Sequence, residues 1–198
     1  MKKLLLGTTD KGKIEEYRKL LSDLPMEFVS LNDLGIAEKP EVTGKTFEEN
    51  AVLKAKFYYE KSGIPTLVDD GGLEIEALNG EPGVHSQRWL GHEMSDEELI
   101  GEVMKRMEGQ TNRGCRLNLV VALATPFGIM TSDAAVEGVI AETIADKKIE
   151  GNPYRSLMYF PNYDKYYCDL TDQEHEILNH RKHALDKIKD MFVEISKS

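Results

Sequence analysis

A chain of 198 residues with 40% hydrophobic content can bury a substantial core, and a single globular domain over residues 1–198 is expected. The formal net charge of −10 excludes the basic footprint that binding a nucleic-acid polymer requires. No apolar run approaches the ~20 residues of a membrane span and no N-terminal leader pattern is present, so a cytoplasmic protein with no membrane association is expected. The isolated cysteines, Cys115 and Cys168, fit a reducing compartment and offer no Cys-based metal site.

The chain opens with an apolar strand, KKLLL, that runs into the polar loop GTTDKGK and then an amphipathic helix with Ile14, Tyr17, Leu21 and Leu24 on one face. Backbone N–H groups at that helix start, with Lys11 and Lys13, can form a phosphate site; an ordinary strand-to-helix loop with solvated lysines is the alternative. It is not a Walker loop, because Ile14 stands where that motif needs Ser or Thr. The next segment, PEVTGKTFEENAVLKAKFYYEKSG, holds a capping box, Thr46 and Glu49, for a helix running to about Ser62. Asn50 and Lys54 share one helical face, although Lys54 also reads as a plain surface lysine. Glu41 is a loop carboxylate ahead of the Thr43–Gly44 turn.

Pro65–Val68 then reads as a short buried strand ending at Asp69 and Asp70, with Gly71 and Gly72 expected to turn the backbone. Two carboxylates at the C-terminal end of a strand suit a hard divalent cation, or else form a turn that caps its own backbone. Ser95 and Glu98 form a capping box for a helix to about Glu108. Residues Arg116–Ala124 and Ile129–Ile140, joined by TPFG, read as a long hairpin. A capping box at Thr171 and Glu174 and an amphipathic helix with Leu185, Ile188, Phe192 and Ile195 complete the chain. Parallel elements followed by an antiparallel ribbon indicate an α/β fold, an elongated mixed sheet flanked by helices.

GTTDKGK, TGKTFEENAVLKA, LVDDGGL and EPGVHSQRWLG, in that order, resemble the inosine triphosphate pyrophosphatase family, hydrolases of non-standard purine nucleoside triphosphates. The resemblance implies two lobes with a central nucleotide cleft, a homodimer, and Mg²⁺-assisted cleavage to nucleoside monophosphate and pyrophosphate. It implies Asp70 as the catalytic and metal-binding acid and Glu41 as the second metal ligand. Thr8, Lys13 and Lys54 match positions that hold the triphosphate, with Asp69 and Gly71 beside them.

The chain departs from the family in places. Asp10 replaces an Asn and reads either as an extra metal ligand or as a surface acid paired with a lysine; Gly71 replaces a Ser. In GNPYRSLMYFP the family's base-stacking Phe is Asn152 and its base-reading Asp is Arg155, while Tyr154 persists as the nearest aromatic. His180 and Arg181 match the base-contacting pair, whereas His175 replaces a Lys. Arg155, with His180 and Arg181, would offer donors to a 6-oxopurine; alternatively Arg155 points outward to a surface acid. A non-catalytic nucleotide-binding or sensing protein, and a pyrophosphatase for pyrimidine or modified nucleotides, are the alternatives to the enzyme reading.

Overall fold

The computed structural model of the chain describes residues 2–197 and holds a mixed, seven-stranded sheet. The strands are Lys2–Leu6 (β1), Met26–Ser30 (β2), Thr66–Ile75 (β3), Gly114–Thr125 (β4), Gly128–Ile140 (β5), Met158–Phe160 (β6) and Lys165–Tyr166 (β7). They lie in the order β2-β1-β3-β4-β5-β6-β7. β1 pairs parallel with β2 and β3, and β6 pairs antiparallel with β5 and β7. Pro126 and Phe127 alone join β4 to β5, a connection short enough only for an antiparallel hairpin. The α/β class and the mixed sheet expected from the sequence are both present.

Six α-helices accompany the strands among the described residues: Lys11–Leu20 (α1), Phe47–Ser62 (α2), Asp96–Arg106 (α3), Asp172–Leu178 (α4), His180–Asp186 (α5) and Lys189–Lys197 (α6). Both bonds of the capping box form at Ser95 and at Thr171. At α2 only half of the box forms: the Thr46 hydroxyl accepts the Glu49 N–H, while the Glu49 carboxylate takes the Lys45 N–H. The final helix expected from the sequence is interrupted after Asp186, yet Leu185, Ile188, Phe192 and Ile195 all remain buried. The apolar spacing thus survives a break in the helix that carries it.

β3 differs from expectation at the position that matters most. The strand does not stop at the acid pair but continues through Asp69, Asp70, Gly71 and Gly72 to Ile75. The glycines therefore do not turn the chain. A Cβ on Gly72 would lie 2.1 Å from the Ser86 Oγ and 2.7 Å from the Gly83 carbonyl oxygen, so its role is to admit the 3-10 turn at Gly83–His85 against the strand.

The chain divides into two compact units. The first comprises residues 2–70, Leu119–Ala134 and residues 181–197, with a core that includes Leu4, Leu6, Tyr17, Leu67, Leu123 and Phe192. The second comprises Gly71–Asn118 and Ala135–His180, with a core that includes Leu73, Ile75, Val103, Leu157, Met158 and Tyr167.

Candidate active site

Successive residues of a strand face opposite sides, and β3 uses this to give its adjacent carboxylates different surroundings. The Asp69 side chain is 2% exposed and that of Asp70 17%. Asp69 is enclosed by donors: the Lys13 ammonium at 2.5 Å on one oxygen, and the Tyr17 hydroxyl at 2.7 Å and the Arg181 Nε at 3.1 Å on the other. Arg181 also pairs with Glu16. Burial alone would raise the Asp69 pKa, but Lys13 and Arg181 outweigh it and hold the carboxyl well below its ordinary range. Burial likewise opposes the charge on Arg181, and Asp69, Tyr17 and Glu16 reverse the effect, raising its pKa. Tyr17 is pushed well above the ordinary phenol by its burial and then by Asp69.

Asp70 is gripped from one helix face. Lys54 donates to one carboxylate oxygen at 2.5 Å and to the Asp69 carbonyl at 2.9 Å, while the Asn50 amide donates to the other oxygen at 3.2 Å. Asn50 and Lys54 are four residues apart on α2, which is why both reach the same group. An ammonium has three donors; Lys13 uses one and Lys54 two in these bonds, so each has capacity beyond them.

The other residues predicted for the phosphate region are placed as follows. The Thr8 hydroxyl accepts the Asp10 N–H, and the Asp10 carboxylate accepts the Lys13 N–H as the N-cap of α1. Asp10 thus satisfies an orphan helix donor with one oxygen, and no lysine side chain is paired with it among the described residues. Gly71 is exposed on β3, and Glu41 is exposed in the loop before α2.

The Arg181 guanidinium pairs with Asp69 and Glu16 in the first unit. His180, its neighbour in sequence, belongs to the second unit, where its Nδ1 lies 3.5 Å from the Tyr167 hydroxyl. The His175 ring stacks on Tyr167 with centroids 5.4 Å apart, and the Arg155 guanidinium sits 4.9 Å over the same ring. Arg155, His175 and His180 are thus gathered by one buried aromatic that the sequence reading missed; nothing local distinguishes Tyr167 from its neighbours Tyr163 and Tyr166. Tyr154 does not join them. It is 8% exposed within the second core and its hydroxyl donates to the Ser86 carbonyl at 2.7 Å.

Among the described residues no three His, Cys, Asp or Glu side chains form a ready-made metal cage. The donor chemistry still suits a hard divalent ion of the Mg²⁺ type, which takes one or two carboxylates and completes its shell with water and substrate phosphates. Asp70 has a lone pair remaining on each oxygen, and Glu41 is an exposed acid.

Residues 4–191 match the Ham1 family. The chain is 37% identical over 193 residues to the dITP/XTP pyrophosphatase of Haemophilus influenzae, covering 94% of this chain and 97% of that one. It is 35% identical over 187 residues to the dITP/XTP pyrophosphatase of Desulfotalea psychrophila, covering 94% and 83%. Among solved structures, a HAM1 protein from Coxiella burnetii aligns with TM-score 0.85 and 32% identity over 98% of this chain and 100% of that one. The Ham1 protein of Staphylococcus aureus aligns at 0.84 and 28% over 96% and 97%. Relatives of this identity and coverage make the chain a hydrolase of the nucleoside triphosphate pyrophosphatase class. The chain belongs to the Ham1 family.

Proposed function

We propose that this protein hydrolyses non-standard purine nucleoside triphosphates to nucleoside monophosphate and pyrophosphate, with Mg²⁺, as a cytoplasmic homodimer. The carrying observation is the asymmetric acid pair: a buried, charge-compensated Asp69 beside a partly exposed Asp70 whose orientation is set by Lys54 and Asn50. Relatives named for dITP and XTP point to the substrate class.

In this reading Asp70 and Glu41 hold the cation, which supplies charge neutralisation at the phosphates and a more acidic water. Lys13 and Lys54 hold phosphate oxygens through their remaining N–H groups, and Asp70 positions and accepts a proton from the attacking water. Asp69 does not touch the substrate; it fixes Lys13 and Arg181. Because charges in the framework are already paired before substrate arrives, little reorganisation is left for the reaction itself.

A 6-oxopurine is the base that the relatives' names favour, and within the second unit the side chains gathered at Tyr167 (Arg155, His175 and His180) are of the donor type that reads O6 and N7 acceptors. A second reading, a pyrimidine or modified nucleotide as substrate, is favoured by Asn152 standing where an aromatic would stack. The test is product analysis: with Mg²⁺ and α-labelled triphosphates, labelled monophosphate and pyrophosphate are expected, with inosine and xanthosine triphosphates preferred. Diphosphate as the first product, or no turnover of any triphosphate, would overturn the assignment.

A further inference from the structure

Asn50 is 2% exposed and each end of its amide is engaged in the only sense its chemistry allows. The carbonyl oxygen accepts the Gly44 N–H at 2.8 Å, and the NH2 donates to Asp70 at 3.2 Å. Gly44 approaches so closely that a Cβ there would lie 2.5 Å from the Asn50 oxygen and 2.9 Å from the Asn50 backbone nitrogen. Gly44 is three residues after Glu41, so a single buried side chain joins the loop carrying one acid to the strand carrying the other. A local helix contact is not what holds Asn50: its partners are six residues before it and twenty after it.

Resting on the proposed function, we infer that Asn50 is a positioning residue which sets the Glu41 loop against Asp70 and so fixes the spacing of the two acids for a divalent cation. Lys54 and Asn50 divide the work at Asp70. Lys54 supplies charge on one oxygen, whereas the neutral Asn50 holds the other oxygen without competing with the cation electrostatically. Aspartate could not replace it, since it would face Asp70 with a like charge and no donor. Leucine, of similar volume, would fill the space but leave both the Gly44 N–H and an Asp70 oxygen without this partner.

The test combines amide exchange in the metal-free protein with kinetics. In the wild type the Gly44 N–H is expected to exchange more slowly than that of Val42, which has no such side-chain acceptor among the described residues. In Asn50→Leu, and in Asn50→Ser as a milder second variant, that protection is lost and the Mg²⁺ concentration giving half-maximal activity rises. The expected rise is about 10–100-fold, the usual effect of removing a group that orients metal-binding carboxylates. At saturating Mg²⁺ KM for the nucleotide changes less than kcat. Fast exchange at Gly44 in the wild type overturns the proposal. So does a folded variant with the wild-type Mg²⁺ requirement, because a purely structural asparagine would lower the melting temperature alone. If the wild type releases no pyrophosphate, the proposed function fails, and the Gly44 exchange rate still decides whether the tether exists.

Discussion

Replacing Asp69 with asparagine removes one negative charge from a pocket that was built around it. The side chain is 2% exposed and Arg181 6%, so neither can be rehydrated without opening the first unit. Removing one partner of such a buried pair costs about 3–5 kcal/mol, chiefly because the surviving charge is left uncompensated. Two features place this case at the lower end. Arg181 keeps Glu16, and the Lys13 side chain, 32% exposed, can turn toward water. A loss of about 3 kcal/mol is therefore expected, measured by urea unfolding at pH 7.

The pH dependence follows from the direction of the shift. The Asp69 pKa is depressed in the folded protein, so its contribution is in force above the unfolded carboxyl value of about 3.9 and is lost as pH falls through the lower folded value. The deficit of Asp69→Asn should be constant from about pH 8 to pH 5 and shrink only in stronger acid. A variant within about 1 kcal/mol of the wild type at pH 7 would show that the pair contributes no more than an exposed one, and would refute the reasoning.

Asp70→Asn nearly conserves shape while removing the charged group at the proposed chemical centre, so turnover should fall by about 100-fold or more with an unchanged circular dichroism spectrum; wild-type kcat would remove Asp70 from the mechanism. Arg155→Ala takes a cation from the face of Tyr167 and should lower kcat/KM for xanthosine and inosine triphosphates about tenfold or more relative to adenosine triphosphate, a discrimination typical of one donor pair. Selectivity unmoved by that substitution would place base recognition elsewhere. Gly72→Ala must displace Ser86, whose hydroxyl both donates to the Gly83 carbonyl and accepts the Leu73 N–H, so thermal or urea unfolding should report a loss of about 1–3 kcal/mol. An alanine variant as stable as the wild type would mean that the 3-10 turn moves freely away from the strand.

Local signals carried much of the fold. The capping residues Thr46, Ser95 and Thr171 marked helix starts within a residue, because capping is decided by groups three positions apart. The turn residues of TPFG likewise placed the hairpin. What failed was the inference from Gly-Gly to a turn at the end of β3: whether a glycine supplies a bend or merely room depends on what packs against it, and Ser86 lies 13 residues from Leu73. The acid pair stood out in the sequence, and Asn50 and Lys54, expected on one helix face, do meet at Asp70. The pair's division of labour was not legible, since Asp69 meets Tyr17 and Arg181 across separations of 52 and 112 residues. Asp10 carried a local signal that was passed over: its place immediately before α1 is the plain signature of an N-cap.

The pleat of β3 has a consequence for quality control during folding. Side-chain direction alternates with a period of two, so a shift of β3 by a single residue against β1, whose native partners are Leu5 with Thr66 and Leu6 with Leu67, would turn Asp69 and Asp70 each to the opposite face of the sheet. In one direction Asp70 would enter the pocket of Lys13, Tyr17 and Arg181 while Asp69 took the buried place of Val68; in the other Asp69 would move to the partly exposed place of Asp70. Leu67 and Val68 are both buried, so such a slip trades one apolar contact for another there and is opposed chiefly by the cost of parting Asp69 from Lys13, Tyr17 and Arg181. The ion pairs of Asp69 thus act as a register mark for β3: the alignment that satisfies Lys13 and Arg181 is also the one that leaves Asp70 partly exposed.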